Sequence, residues 1–212
     1  MNATRIVMYA LFGLVAASQA AQAQLRSLYV PRLHCDVNPA TDGFAADSIV
    51  ATVAMELENP VRIVDTMAFA RFRQAIALGP LGEFPWLMIR QAARFFRRLD
   101  TVTALAAEAI RRWPDCEVAY VVLAQAVNDA GQHDDAVSQL RRVVSRFPND
   151  ALGWATLATL TSQAGRDSLA VAYFLRTLEL DSTYFTDAHS QALSAFQHSI
   201  RRVRGLAPAR QP

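Results

Sequence analysis

The sequence contains few side chains whose types and spacing could support catalysis or metal binding. His34, Cys35 and Asp36 are the densest cluster of metal-ligand types, but they are consecutive, and metal sites usually draw on separately supported ligands. His189 and His198 are nine residues apart, which places them on opposite sides of a helix. The common nucleophile, zinc and phosphate-loop motifs do not occur. We therefore predict a protein that is not an enzyme, with no catalytic residue, metal, cofactor or small-molecule substrate.

Charge patterning argues against a nucleic-acid partner. The chain has 212 residues and a formal net charge of +2, and all 21 of its Lys and Arg residues are arginine. Nucleic-acid binding usually requires a clustered basic face, whereas arginine pairs such as Arg97-Arg98 are interpreted as solvated helix ends. For the C-terminal arginines, contact with an anionic membrane or an acidic partner is the alternative; these are Arg201, Arg202, Arg204 and Arg210.

The N-terminal segment, residues 1–23, has the pattern of a secretory signal peptide. Arg5 precedes an apolar run at residues 6–17, and an Ala-Gln-Ala cleavage site ends at Ala23. The run is shorter than the roughly 20 residues that span a membrane. We expect cleavage before Gln24 and export to the periplasm or the extracellular space. The alternative is an uncleaved inner-membrane anchor formed by residues 6–17.

Cys35 and Cys116 are the two cysteines of the chain, an even number that permits one disulfide in an oxidising compartment. Such a bridge would tie the N-terminal segment to the body of the protein. Sequence alone does not give the Cα separation that a disulfide requires. Two unpaired thiols are therefore the alternative.

Bulky, small and helix-breaking residues recur with a fixed period in the second half of the chain. A shift of 34 residues aligns Trp154 with Tyr120, Leu157 with Leu123, Ala158 with Ala124, Gly165 with Gly131 and Ala170 with Ala136. Each copy has two apolar stripes at helical spacing, separated by a glycine suited to closing a helix, which predicts a helical hairpin. Pro114 and Pro148 are expected to end the second helices, and Asp115 and Asn149 to cap the helices that follow.

These residues resemble the tetratricopeptide repeat, a 34-residue unit with a Trp-x2-Leu-Gly-x2-Tyr motif followed by Ala, Phe, Ala and Pro. The resemblance implies an all-α fold, a right-handed superhelix of three to four hairpins with a C-terminal capping helix. The copy at residues 83–116 departs from this repeat pattern at two positions. Arg90 replaces a small residue and Arg97 replaces the turn glycine. Pro60 is expected to end the first helix of the preceding, degenerate copy early.

The resemblance also sets the expected domain boundaries. An irregular leader is expected at 24–46, repeats at 49–184, a capping helix at 185–205 and a loose tail at 206–212. Within the repeats, the units are expected at 49–82, 83–116, 117–150 and 151–184, the first of them degenerate.

In tetratricopeptide proteins, the first helix of each hairpin lines a concave groove that binds a partner. Carried onto this chain, the resemblance implies partner contacts by Phe84, Leu87, Gln91, Arg94, Phe95, Val121, Gln125, Asn128, Asp129, Thr159, Ser162 and Gln163. The amide side chains can pair with a peptide backbone, and the aromatic ones can receive apolar anchors. The absence of lysine excludes the lysine-and-asparagine clamp that some members use for a carboxyl terminus.

The resemblance therefore implies a non-enzymatic protein–protein interaction module. We expect a scaffold of the bacterial envelope that binds a peptide or protein subunit in the concave groove. One alternative is that the groove is only a soluble surface. The other is an accessory structural subunit of a membrane complex, held by the uncleaved N-terminal anchor.

Overall fold

The computed structural model describes residues 46, 48–53, 65–185 and 190–205. All of them belong to the compact unit His34–Pro212, and the other unit, Met1–Leu33, lies outside the described residues. The described part contains α-helices and turns without a strand. The predicted all-α helical-repeat fold is therefore confirmed for this part of the chain.

Eight long helices follow one another along the described residues. They are α1 Asp65–Leu78, α2 Glu83–Phe95, α3 Leu99–Arg112, α4 Glu117–Asp129, α5 His133–Arg146, α6 Ala151–Gln163, α7 Asp167–Leu180 and α8 Ser190–Val203. Residues 48–53 are also helical.

Helices of two kinds alternate with a constant period. Helices α2, α4 and α6 each have 13 residues, and α3, α5 and α7 each have 14. The first kind begins at positions 83, 117 and 151 and the second at 99, 133 and 167, so both series advance by 34 residues. Helix α1 has 14 residues and begins at position 65, 34 residues before α3. It therefore occupies the place of a second helix in the preceding copy.

The turn within each hairpin closes through one residue in the left-handed conformation. The φ angles are 56° at Arg97, 84° at Gly131 and 74° at Gly165. The residue after each of them donates its N–H to the carbonyl five residues earlier, as Gln132 does to Val127 at 3.2 Å. This bond pattern terminates a helix and favours glycine. The hairpin keeps the same turn even where the glycine is replaced by arginine.

The helices stack in sequence order, with one main apolar core from α1 to α6 and two smaller clusters between α6, α7 and α8. Each helix from α3 to α7 packs against its neighbours in the chain, and α4 also packs against α6. Small residues such as Ala136 and Ala170 are fully buried, which lets the paired helices approach closely. Phe72, Trp86, Ile89, Leu105, Leu140 and Leu157 are among the largest fully buried side chains.

The bulky residue near the start of α4 and of α6 joins two consecutive hairpins. Trp154 donates its indole N–H to the carbonyl of Pro148 at 2.9 Å, and Tyr120 donates its hydroxyl to the carbonyl of Pro114 at 3.0 Å. The ring of Trp154 also packs against Tyr173 in its own hairpin, with centroids 5.6 Å apart. Tyr120 and Trp154 therefore each connect their own hairpin to the preceding one.

Helix α8 covers the last hairpin. It packs against α6 and α7, and Phe196 lies 5.1 Å from the ring of the fully buried Phe174. The hydroxyls of Ser199 and Ser162 form a buried hydrogen bond of 2.7 Å. Both apolar and polar contacts hold α8 against the repeats.

The predicted helix caps Asp115 and Asn149 are wrong by one residue. The N-cap of α4 is Cys116, and the N-cap of α6 is Asp150, whose carboxylate accepts from the N–H groups of residues 152 and 153 at 3.0 and 2.8 Å. The turn that follows each proline is one residue longer than the sequence pattern suggests.

Several predictions fall outside the described residues. These concern the signal peptide or anchor within residues 1–23, nearly all of the leader, Pro60, the tail at 206–212 and Cys35. Cys116 is buried and is not a free thiol, while its bridge to Cys35 stays a prediction. Among the described helices, none combines the length and apolarity needed to cross a membrane.

Candidate partner-binding groove

The first helices α2, α4 and α6 line a cavity of about 240 Å³, here called the groove cavity. Tyr184 and residues of α8 complete its wall. Eight of the predicted contact residues lie together in this lining: Leu87, Arg94, Val121, Gln125, Asn128, Asp129, Thr159 and Gln163. The 34-residue period places these side chains on the same side of successive first helices.

Four predicted contact residues lie elsewhere. Phe84, Gln91 and Phe95 do not line the groove cavity, and all three are exposed on α2. Ser162 is buried and lines a second cavity of about 310 Å³ between α6 and α8. Thr159 lines both cavities, so the polar surface continues from α6 to α8.

A charged network connects α2 to α4 within the groove cavity. Arg90 donates through Nη1 to Gln125 and through Nη2 to Asp129 Oδ2, the latter at 2.7 Å. Arg94 donates through Nη2 to Asp129 Oδ1 at 3.0 Å. Both oxygens of one carboxylate are therefore engaged by arginines from the preceding hairpin.

The network continues from α4 to α6 and to α5. The amide nitrogen of Gln125 is 3.4 Å from the hydroxyl of Thr156 on α6. Asn128 Oδ1 is 2.7 Å from the ring nitrogen Nδ1 of His133 on α5. Polar side chains in the groove cavity are thus held in place by neighbouring helices, as preorganised binding surfaces require.

Arg90, Thr156 and Tyr184 are among the lining residues that sequence reasoning missed. Arg90 was recognised only as a departure from the repeat pattern, and Thr156 and Tyr184 were not predicted. The signal for Arg90 was the replacement of a small residue by arginine near the groove-lining positions. Thr156 and Tyr184 carry no comparable signal, because only the packing of α6 and the segment after α7 brings them to the cavity.

The phenol of Tyr184 is neutral at physiological pH. Burial raises the pKa of Tyr184 well above its ordinary value, and the carboxylates of Glu83 and Asp150 raise it further. The side chain therefore contributes an apolar ring and a neutral hydroxyl to the cavity wall.

The groove cavity combines a mostly buried apolar floor with polar groups around it. Val121 and Leu152 are buried in the floor, while Gln125, Asn128 and Gln163 provide amide donors and acceptors. Within the described ranges, no group of three or more His, Cys, Asp or Glu side chains is arranged to hold a metal ion. Chemically, the cavity is suited to recognising a polypeptide through backbone hydrogen bonds and apolar contacts.

Comparison with known families identifies part of this structure. Residues 117–160 match the family model of the tetratricopeptide repeat, a segment that contains α4, α5 and most of α6. No curated protein matches the chain.

Proposed function

We propose that this chain, in which residues 117–160 match the tetratricopeptide repeat, is a non-catalytic module that holds a segment of a protein partner in the groove cavity. Such repeats commonly present an extended concave surface to other proteins. The observation that carries this proposal is the groove cavity itself, lined by corresponding positions of α2, α4 and α6.

Leu87 gives the groove cavity an accessible apolar contact. Its side chain is 44% exposed and lines the cavity, whereas most other large apolar side chains of the first helices are buried in the core. An exposed apolar residue beside ordered polar groups is typical of a binding surface. We therefore expect Leu87 to pack against the partner.

Leu175 is the matched control for Leu87. It is 50% exposed, lies on the second helix α7 and does not line the groove cavity. The test is affinity capture from the native source with wild type, Leu87→Asp and Leu175→Asp, each checked for helicity by circular dichroism. We expect Leu175→Asp to capture the wild-type partners and Leu87→Asp to lose them. Capture of the same partners by folded Leu87→Asp would refute binding in this cavity.

The proposed cellular setting is the bacterial envelope, where the protein would act as a scaffold. Support comes from the sequence, since residues 1–23 have the signal-peptide pattern of Arg5, an apolar run and a small-residue site. Intact-mass measurement of the native protein tests this, and we expect a chain that begins at Gln24. A mass that retains residues 1–23 would instead support an accessory subunit of a membrane complex, anchored by the apolar run at 6–17.

A further inference from the structure

We infer that the partner segment binds in an extended conformation and contacts both Leu87 and Arg94. It carries an apolar side chain that packs on Leu87 and, three residues away, an acidic side chain that binds Arg94. This inference rests on the proposed function and specifies its ligand.

The groove cavity has an excess positive charge at the end of α2 that contains Arg94. Arg90 and Arg94 both bind the carboxylate of Asp129, so two cations share one anion and the three groups sum to one positive charge. A carboxylate supplied by the partner would neutralise this excess and form charge-assisted hydrogen bonds with guanidinium.

Arg94 is the member of this group that can accept a further carboxylate. The Arg90 side chain is 17% exposed and bonds both Gln125 and Asp129, whereas the Arg94 side chain is 57% exposed. Among the described residues, Asp129 is the acceptor that Arg94 contacts, through Nη2. Because a guanidinium has five N–H donors, Nε and Nη1 can serve an incoming carboxylate.

The remaining charged residue in the cavity lining lies far from Arg94 along α2. Glu83 lines the same cavity but precedes Arg94 by eleven residues, which is about 16 Å along a helix axis. The Glu83 carboxylate and the Arg94 guanidinium therefore lie at opposite ends of α2. An acidic side chain of the partner is therefore favoured at the Arg94 end.

The helix geometry sets the spacing of the two anchor residues in the partner. Leu87 and Arg94 are seven residues apart, two turns along one face of α2, so they are separated by about 10.5 Å along the axis. An extended chain advances about 3.3 to 3.6 Å per residue. Three residues of extended chain therefore span the distance between the apolar contact and the charge.

The experiment is selection of a peptide library by the full-length protein. Eight randomised residues are displayed between glycine-serine linkers, so that no chain terminus supplies the carboxylate. The variants are Leu87→Asp, Arg94→Gln, Arg94→Glu and the control Arg98→Gln. The exposed guanidinium of Arg98 pairs with Asp65 at 2.9 Å, outside the groove cavity. Circular dichroism confirms that each variant is folded.

We expect wild type and Arg98→Gln to enrich an Asp or Glu three residues from an apolar residue. Arg94→Gln should bind these peptides about tenfold more weakly, the effect of one charged contact, and Arg94→Glu should enrich Lys or Arg at the acidic position. Peptides that lose binding with Leu87→Asp but not with Arg94→Gln would overturn the inference and leave the proposed function intact. Peptides unaffected by Leu87→Asp, or a library without binders, would overturn both.

Discussion

Arg97 adopts a backbone conformation that the two following hairpins assign to glycine. Its φ of 56° lies in the left-handed region, as do those of Gly131 and Gly165. An L-residue with a side chain loses roughly 1 to 2 kcal/mol in this region. The hairpin of α2 and α3 therefore contains local backbone strain that the two following hairpins avoid.

Replacement of Arg97 by glycine should stabilise the protein. We expect Arg97→Gly to raise the free energy of unfolding by about 0.5 to 1 kcal/mol, because relief of strain exceeds the extra chain entropy of glycine in the unfolded state. Gly131→Ala is the matched control, since an added Cβ there would meet no atom within 4 Å, and it should destabilise by a similar amount. Urea unfolding measures both, and destabilisation by Arg97→Gly would contradict this account.

The buried phenol of Tyr184 should make stability depend on pH in the alkaline range. The pKa of Tyr184 is raised above 10.0 in the folded chain, first by burial and then by Glu83 and Asp150. Its contribution is therefore complete below pH 10 and is lost as the pH rises toward the folded-state pKa, because the unfolded chain releases the proton first. We expect Tyr184→Phe to lose less stability than wild type between pH 8 and pH 11 in urea unfolding. Equal losses would show that the phenol does not contribute.

The hydrogen-bond partners of Arg90 could not be predicted from the sequence. The replacement of a small residue by Arg90 was visible in the sequence, but its partners Gln125 and Asp129 are 35 and 39 residues away. Which of the many polar side chains it meets depends on the rotation and spacing of α2 against α4. Apolar periodicity specifies which face of a helix is buried, and it does not specify these cross-helix pairs.

At the scale of the element, the 34-residue period predicted the helical hairpins. It did not predict which residues cap their helices. Apolar stripes and the turn glycines carry strong signals, so α4 to α7 could be anticipated from the sequence. The N-cap of α6 could not be assigned from residue type, because Asn149 and Asp150 are both good capping residues. Backbone conformation after the proline decides between them, and only Asp150 bonds the first turn of its helix.

Replacement of Asp150 should therefore lower the free energy of unfolding, whereas replacement of Asp115 should not. Asp150 is buried and accepts two backbone hydrogen bonds, and loss of such a cap removes at least about 1 kcal/mol. The Asp115 side chain is 96% exposed, so Asp115→Ala should unfold with the wild-type midpoint. Thermal or urea unfolding of Asp150→Ala and Asp115→Ala compares them directly, and similar losses in both variants would refute the assigned cap.

At the scale of the whole molecule, the helices form an inner and an outer series. Ten of the 13 residues of α6 are buried, whereas three of the 14 residues of α7 are buried. First helices lie between neighbours, and second helices face solvent on one side. The resemblance implied that the first helices line the groove, while the size and lining of the groove cavity required the positions of α2, α4, α6 and Tyr184 relative to one another.

Hydrogen exchange should reveal this arrangement as a gradient of local stability. In repeat proteins, stability is approximately a sum of units and nearest-neighbour interfaces, so elements with neighbours on both sides open least. We expect the slowest exchange in α4 and α6 and faster exchange in α1 and α8, measured by mass spectrometry of peptic fragments. Uniform protection from α1 to α8 would indicate a single cooperative unit instead.

The first helices and the second helices repeat with the same 34-residue period, and this has a consequence for how the gene can change in length. Excision or duplication of 34 codons between equivalent positions, such as 117 and 151, would join ends of matching geometry and leave each flanking hairpin with a compatible neighbour. Insertion of one codon inside a helix would turn every later side chain of that helix by about 100°. Length variation in this gene is therefore expected to occur in whole hairpins or in the turns between helices.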